Sequence, residues 1–381
     1  MDAWINSSEA LSLLNVRAQT LYANVSRGKI RTKRDPEDTR KRLYHAGDVA
    51  RLGSRRRGQR RIEDVMAEVT GWGHPIMVTS ISTVHKGVLL YRDRNAVELS
   101  RTWSLEQVVS LLWQTSEFYL DKPRFGSAER VFYSVCPVEK AMQTVAAKMH
   151  IEPPTHERSS EGLIADANAL LSRIIFTVFG DSSSHTLGTI SEIASQYWRR
   201  PTAEPILRQA LCLLADHELN ASTFATRVVI STGASLCSGI LAGLAALNGP
   251  LHGRVGLAIN ALMKEAKSNG AELTVRKWLS EKQSIPAFGH PLYPEGDVRA
   301  KALLQNIPLS GIMSEVCFWA TQLTGEQPTV DFALVCMVEA YDLPEDAPLS
   351  LYIAARTVGW IAHALEQTQE GSLIRPRAKY K

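Results

Sequence analysis

Three short segments carry the side chains best suited to acid–base chemistry. The first, residues 248–253 (NGPLHG), crowds two glycines and a proline around His252. The second, residues 285–293 (IPAFGHPLY), holds His290, and the third, residues 329–332 (TVDF), holds Asp331. Imidazole and carboxylate groups are the usual general acids and bases of proteins, so these side chains are candidates for proton transfer.

Each candidate also has an ordinary structural interpretation. His252 and His290 stand next to glycine and proline, as many loop and turn histidines do. Asp331 precedes an apolar helical pattern, where a carboxylate can cap the helix and interact favourably with its dipole. Each motif alone is therefore weak, and the significance of the three depends on their occurring together.

A buried helix is predicted to position His252. Residues 236–247 are apolar at helical spacing, and Gly239 and Gly243 lie four residues apart on one face. Such a face lets a neighbouring helix pack closely, and Gly249 is predicted to end the helix. His252 would then follow a rigid helix end.

The order and spacing of these motifs resemble those of citrate synthases. His252 in GPLHG, His290 in FGHPLY with Arg299 nine residues later, and Asp331 in VDF resemble the three active-site segments of that family. Further stretches continue the resemblance at residues 215–223 (ADHELNAST), 355–363 (ARTVGWIAH) and 374–377 (IRPR). The resemblance covers residues 62–381 and is far more specific than any single motif.

The resemblance implies a mainly α, two-lobed all-helical enzyme that joins acetyl-CoA and oxaloacetate, with no metal and no cofactor beyond the coenzyme A thioester substrate. It assigns Asp331 as the base for the C–H proton, His252 as the donor to the enolate oxygen and His290 as the donor to the ketone oxygen. A 2-methylcitrate synthase using propionyl-CoA is the alternative within the class, since one methylene is worth only about 1–3 kcal/mol of discrimination.

A dicarboxylic keto acid calls for cationic partners, and guanidinium groups suit carboxylates best. By the resemblance, Arg299, Arg356 and Arg375 stand where the family's oxaloacetate-binding arginines fall, and His217 where its further substrate histidine falls. Arg356 belongs to an apolar helical run, residues 351–365, in which a guanidinium needs a buried partner. The family's C-terminal arginine comes from the neighbouring subunit, so the resemblance implies a homodimer.

The chain departs from the family's pattern beside two of its motifs. The family usually continues the first motif with a second glycine and then a glutamate, whereas residues 254–257 read RVGL. Pro291 follows His290 where many members have arginine. Both changes border predicted catalytic residues and therefore bear on the rate and on the acyl-CoA used.

The first 61 residues form a separate basic segment. They hold 15 Lys and Arg against 6 Asp and Glu, a net charge of +9, whereas the whole chain carries +4. Their patterns predict two short helices around a turn at residues 15–17, two strands and a third helix, at residues 9–14, 18–26, 29–31, 40–44 and 45–52. This segment resembles the winged helix-turn-helix of MerR and excisionase proteins.

A basic wing of this kind would contact DNA phosphates. The candidate DNA-binding residues are Arg17, Arg27, Arg31, Lys33, Arg40 and Arg42. The alternatives are a solvated basic face on a small packing module, or a regulator in which a citrate-synthase body senses a metabolite for a DNA-binding head. Residues 54–61, nearly all arginine and glycine, are typical of a flexible basic linker.

Length and composition indicate a globular protein of several domains. The 381 residues are 45% hydrophobic and 22% charged, with no apolar run of the roughly 20 residues that a membrane span requires. Five scattered cysteines and the lack of a signal sequence favour the cytoplasm. The predicted domains are the helix-turn-helix and linker (1–61), a large lobe (62–252), a small lobe (253–340) and a C-terminal return to the large lobe (341–381).

Overall fold

A computed structural model of the protein describes residues 4–14, 18–26, 29–35, 38, 41–49, 77–123, 136–180 and 188–378. The chain forms two compact units, Met1–Val78 and Thr79–Lys381. The boundary between them falls at Val78, beyond the linker that the sequence indicates. The further division of the larger unit into two lobes stays a prediction.

The N-terminal unit combines two helices with a small antiparallel sheet. Helices α1 (Ser7–Leu14) and α2 (Ala18–Ser26) accompany strands β1 (Trp4–Ile5), β2 (Thr32–Arg34) and β3 (Arg42–His45), in the order β1-β3-β2. Its own apolar core consists of Ala10, Leu14, Leu21, Ile30, Tyr44 and Val49. Both predicted helices are confirmed, and this unit has a core of its own.

Two details of the N-terminal unit differ from the prediction. The strand predicted at residues 29–31 begins only at Thr32, because Ile30 turns into the core and Arg31 bonds to Asp48. The strand at Trp4–Ile5 was not predicted, since two residues give no alternation to detect. Of the predicted third helix, residues 46–49 are helical and residues 50–52 lie outside the described part.

The larger unit opens with a three-stranded antiparallel meander, β4 (Ser82–His85), β5 (Val88–Tyr91) and β6 (Arg94–Asn95). Its first two strands form a hairpin, in which Ser82 pairs with Tyr91 and His85 with Val88. Its turn uses Lys86 and Gly87, both at positive φ (50° and 76°). Such a turn matches the twist of the strands that it joins.

Helices make up most of the larger unit. Those described are α3 (Ala96–Thr102), α4 (Leu105–Trp113), α5 (Pro137–Ala146), α6 (Ser160–Phe179), α7 (Ile190–Tyr197), α8 (Glu204–Leu214), α9 (Ala221–Ile230), α10 (Leu236–Leu247), α11 (Val255–Asn269), α12 (Ala271–Lys282), α13 (Val298–Leu304), α14 (Gly311–Thr324), α15 (Val330–Ala340) and α16 (Ala347–Glu370). The predicted helical body is confirmed.

Helix α16 lies at the centre of this body and packs on α6, α8, α9 and α10. The predicted close face of α10 is confirmed, because a Cβ on Gly239 would come within 2.7 Å of Ile230, and one on Gly243 within 3.0 Å of the Trp360 ring. The two glycines thus let α9 and α16 approach α10 closely.

A fully buried arginine joins α9 to the C-terminal half of α16. Arg227 donates from Nε to Gln367 Oε1 (3.0 Å), from Nη2 to Glu370 Oε2 (2.8 Å), and from Nη1 to Glu366. Its Nη1 also lies 3.3 Å from His363 Nδ1. A buried guanidinium with this many partners ties the two helices together.

One described helix, α6, has the length and hydropathy of a membrane span, but 61% of its apolar window is buried within the body, as in a core helix. The five cysteines all lie in the described part and are free thiols. No group of three or more histidine, cysteine or acidic side chains among the described residues could hold a metal ion.

Candidate active site

A tight turn after α10 holds His252. The backbone N–H of Gly253 donates to the Leu247 carbonyl at 3.0 Å, and that of His252 donates to the Gly249 carbonyl at 3.0 Å. A Cβ on Gly253 would come within 2.3 Å of the Leu247 oxygen, so only glycine fits there. The imidazole is fixed on its other side, where Nε2 lies 2.8 Å from Ser222 Oγ.

Ser222 belongs to a small network at the start of α9. Its Oγ lies 2.7 Å from Asn220 Oδ1 and accepts a hydrogen bond from Trp360 Nε1 at 3.2 Å. Burial, together with the charge of Arg356, lowers the pKa of His252 to about 4. The ring is therefore neutral at pH 7 and has one N–H to donate.

A short antiparallel contact holds the His290 loop. The Gly289 N–H donates to the Gln327 carbonyl at 2.9 Å, and the Thr329 N–H donates to the Ala287 carbonyl at 2.8 Å. Gly289 has a φ of 79°, in the left-handed region. These bonds place His290 beside the start of α15.

His217 and His290 lie against each other, with ring centroids 5.3 Å apart. His217 Nε2 lies 2.9 Å from Tyr293 Oη, and the Tyr293 ring is 5.0 Å from that of His290. Burial first, and then the charges of Arg299 and Arg356, lowers the pKa of His217 well below its ordinary value. Burial and Arg299 lower the pKa of His290 to about 4. Both rings are thus neutral at pH 7.

Arg299 is buried and carries its own counter-ion. Its Nε donates to Asp297 Oδ1 at 3.0 Å and its Nη2 to Asp297 Oδ2 at 2.9 Å. Asp297 caps α13 and accepts from the Val330 amide at 2.9 Å, so it also touches the first residue of α15. Burial alone would raise the pKa of Asp297, but Arg299 lowers it overall. The pair links the cation to the helix that carries Asp331.

Asp331 is the second residue of α15, so its interpretation as a helix cap is wrong. Thr329 occupies the cap position, and its side chain makes no capping bond. The Asp331 Oδ1 instead accepts a hydrogen bond from Tyr352 Oη at 3.1 Å. Burial raises the pKa of Asp331, although Arg299 opposes this shift. Its carboxylate is therefore more basic than an exposed one.

Arg356 lies inside the body with 2% of its surface exposed. Its Nε donates to the Leu214 carbonyl at 3.0 Å, and its guanidinium carbon lies 5.9 Å from the centre of the Tyr352 ring. The predicted need for a buried partner is thus met by a backbone carbonyl and an aromatic face. The remaining donors of Arg356 suit a carboxylate ligand.

Arg375 differs from the other candidates. It is exposed in the segment after α16, and its Nη1 donates to the carbonyl of Pro376 at 3.4 Å. The hydrogen bonds of the described residues do not join it to the other six candidates. The other six form one cluster. His217 packs on His290, the Arg299 guanidinium carbon lies 5.4 Å from the centre of the Tyr293 ring, and Tyr352 contacts both Asp331 and Arg356. The charge of Arg356 also contributes to the lowered pKa of His252.

This cluster brings together a half-buried carboxylate, neutral imidazoles and two buried arginines. The family model described as the citrate synthase C-terminal domain matches residues 137–377, which is more than half of the chain and includes all seven of these candidates. The chain belongs to the citrate synthase family. That family comprises acyltransferases that convert the acyl group to an alkyl group on transfer, and it uses a coenzyme A thioester as substrate with no further cofactor.

Relatives of two specificities resemble this citrate synthase family member. It is 36% identical to citrate synthase 2 of Bacillus subtilis over 47% of this chain and 51% of the relative. It is 26% identical to 2-methylcitrate synthase 1 of Corynebacterium glutamicum over 79% of this chain and 92% of the relative. The first alignment thus spans only about half of that relative, and the two together leave the thioester unresolved.

The fold is that of solved citrate synthases. The structure of a ternary complex of carboxymethyl coenzyme A and oxaloacetate with citrate synthase from Thermoplasma acidophilum superimposes with a TM-score of 0.65 and 22% identity, covering 81% of this chain and 94% of that one. At this identity the likeness establishes the mainly helical architecture alone, and the meander β4–β6 corrects the expectation of an all-helical body.

Several site residues of this family member were not identified as such from the sequence. Ser222, Tyr293, Asp297 and Tyr352 all contact candidate residues. Ser222 and Tyr293 lie inside quoted motifs, and Tyr352 lies in the predicted helical run 351–365, one turn before Arg356, so a search for hydrogen-bonding neighbours in these stretches could have found all three. Asp297 has a clear signal too, since it stands two residues before Arg299 at a helix start.

The residues after Gly253 that differ from the family's usual pattern, residues 254–257, lie at the start of α11. Arg254 occupies the cap position, donates from Nε to Asn248 Oδ1 at 2.8 Å and lies 3.6 Å from Glu139. These partners support the turn that carries His252 and do not belong to the cluster. Arg254, which stands where the family usually has a second glycine, therefore stabilises the turn next to the site.

In the N-terminal unit, two described candidate DNA contacts already have partners. Arg31 donates from its backbone N–H (3.1 Å) and its Nε (2.8 Å) to Asp48, which lowers the pKa of that carboxyl. Lys33 Nζ lies 4.6 Å from the centre of the Trp4 ring, and Arg42 is exposed. Three further candidates, Arg17, Arg27 and Arg40, lie outside the described residues.

Proposed function

We propose that this chain condenses acetyl-CoA with oxaloacetate to give citrate and CoA. The observation that carries the proposal is the cluster of Asp331, His252 and His290 with the buried cations Arg299 and Arg356. It supplies a base, two neutral donors and counter-charges for a dicarboxylate, which are the groups that this condensation requires.

The first step forms the enolate of the thioester. Asp331 removes a proton from the methyl group, and burial favours this because it makes the carboxylate more basic. His252 donates to the thioester oxygen as negative charge develops there. For this role the ring is held by Ser222, whose Oγ lies 2.8 Å from His252 Nε2.

The second step joins the two substrates. The enolate carbon attacks the ketone carbon of oxaloacetate, and His290 donates to the ketone oxygen, which becomes the hydroxyl of the product. Water then hydrolyses the resulting citryl thioester and releases citrate and CoA. No metal ion enters this scheme.

Oxaloacetate is held by its two carboxylates and its ketone group. Arg299 and Arg356 provide buried cationic donors, and His217 a neutral imidazole held by Tyr293. We place Arg375 in the site of a second copy of the chain, because it is exposed and bonds to none of these residues. The working enzyme is accordingly a homodimer.

The reacting groups would lie between a large lobe (62–252 and 341–381) and a small lobe (253–340). Closure of these lobes over the substrates would expel water and protect the enolate from side reactions. We place the enzyme in the cytoplasm, in keeping with its five free thiols.

A steady-state assay of CoA release with oxaloacetate and either acetyl-CoA or propionyl-CoA tests this proposal. We expect the higher kcat/KM with acetyl-CoA. A higher value with propionyl-CoA would make the protein a 2-methylcitrate synthase, as the relative from Corynebacterium glutamicum is named. No turnover with either thioester, despite ligand binding, would favour a regulator that senses these ligands.

A second function, DNA binding by residues 1–61, is supported by the basic charge of this segment and by the separate core of its unit. We expect the full chain to bind duplex DNA, with a pseudo-palindromic target if it is a dimer. Affinity should fall steeply with salt, because each neutralised phosphate contributes a slope of about −0.9 in log K against log salt concentration.

The matched variants are Arg42→Gln in the wing and Lys86→Gln in the exposed hairpin turn of the larger unit. We expect Arg42→Gln to make the slope of log K against log salt concentration shallower by the contribution of about one phosphate. Lys86→Gln should leave that slope unchanged. Deleting residues 1–61 should abolish DNA binding and keep condensation. Absence of a retarded species at low salt would contradict the proposal, and loss of the enzyme's fold on deletion would make the segment structural.

A further inference from the structure

A phenol hydroxyl contacts the predicted base. Tyr352, on the central helix α16, donates from Oη to Asp331 Oδ1 at 3.1 Å. Tyr352 lies one helical turn before Arg356, whose guanidinium carbon is 5.9 Å from its ring. The same tyrosine thus touches the base on one side and faces a substrate-binding cation on the other.

We propose that Tyr352 is a positioning residue, which fixes the orientation of the Asp331 carboxylate and moderates its basicity. This inference rests on the proposed condensation, in which Asp331 removes the C–H proton. A hydrogen bond to the charged form of a carboxylate stabilises that form. Tyr352 therefore keeps Asp331 ionised at lower pH than burial alone would allow.

The bond also selects which oxygen does the chemistry. Oδ1 is held by Tyr352, whereas Oδ2 accepts no side-chain hydrogen bond from the described residues. A carboxylate with one oxygen held in place presents the other in one direction, as proton abstraction from carbon requires. Oδ2 is the oxygen that takes the proton.

Tyr352 acts throughout as a donor. Burial and the nearby Asp331 carboxylate raise the pKa of this phenol well above its ordinary value, so it stays protonated across the working pH range. It therefore neither takes nor gives a proton in the reaction and acts only through Asp331.

The test is Tyr352→Phe in the full-length protein, with kcat/KM for the thioester measured from pH 5 to 9. Without the donor, the pKa of Asp331 rises, so the acid limb should move to higher pH by about one unit. The loss of activity should accordingly be larger at pH 6 than at pH 8. The KM for oxaloacetate should stay within about twofold, because Arg299 and Arg356 remain.

Tyr341→Phe is the matched control, since Tyr341 at the far end of α15 donates to the Asn306 carbonyl at 3.4 Å. Its pH profile should match that of the wild type. If the wild type is active but the acid limb of Tyr352→Phe lies at the same pH, this inference alone is overturned. The same holds if the activity of Tyr352→Phe falls by an equal factor at every pH. A wild type without turnover would overturn the proposed condensation, and this inference with it.

Discussion

Replacing Asp331 by asparagine should lower kcat for condensation about a thousandfold, while oxaloacetate still binds within a few-fold of its normal affinity. An amide has the shape of the carboxylate but cannot take the methyl proton. Its oxygen can still accept the hydrogen bond from Tyr352, so the start of α15 should keep its structure. CoA release gives the rate, and calorimetric titration with oxaloacetate gives the affinity.

Asp346→Asn provides the control, because Asp346 is exposed at the start of α16 and its side chain caps nothing there. We expect that variant to turn over at the wild-type rate. Near-normal turnover by Asp331→Asn would remove Asp331 from the mechanism. Loss of oxaloacetate binding together with the rate would instead mean that the carboxylate organises the substrate pocket.

Replacing Arg227 by alanine should lower the free energy of unfolding by about 3–5 kcal/mol. The guanidinium is fully buried between α9 and α16 and satisfies Glu366, Gln367 and Glu370. Its removal leaves a cavity, and the carboxylates of Glu366 and Glu370, whose side chains are 13% and 36% exposed, lose their cation. Glu366 also accepts hydrogen bonds from the residues before β4, so the loosening should extend to the meander. Denaturant unfolding followed by circular dichroism measures the loss.

Arg276→Ala is the comparison, because Arg276 pairs with Glu272 one turn away on the exposed face of α12. Exposed pairs of this kind contribute about 0.3–0.5 kcal/mol to stability, so the denaturant concentration at the midpoint of unfolding should hardly change. If Arg227→Ala loses less than about 1 kcal/mol, the buried ion network is not what joins α9 to α16.

Local pattern accounts for much of the architecture. Periodic apolar residues and helix-end signals predicted α1, α2 and α10, the last two at their observed ends. The two-residue β1 was missed because such an element is stabilised by its neighbours rather than by a period of its own. The strand predicted at residues 29–31 begins instead at Thr32 for a similar reason, because Arg31 bonds to Asp48, which lies 17 residues away in the chain.

The sequence by itself determined the family and the candidate residues, because the family's motifs are short stretches in which residue type and spacing carry the chemistry. The turns at His252 and His290 could be predicted from the sequence as well, because the glycines beside these histidines permit the backbone conformations that a tight turn needs. The lobe division, the homodimer and DNA binding stay predictions.

Only the tertiary structure decided how the candidates meet. It moved Asp331 from the cap of α15 into its first turn, gave its carboxylate the Tyr352 hydroxyl, and joined His217 to Tyr293 across 76 residues of sequence. Burial lowered the pKa of each of the three histidines and raised that of Asp331. Such effects arise from desolvation and from partners far apart in the chain, and a local pattern of residues does not encode them.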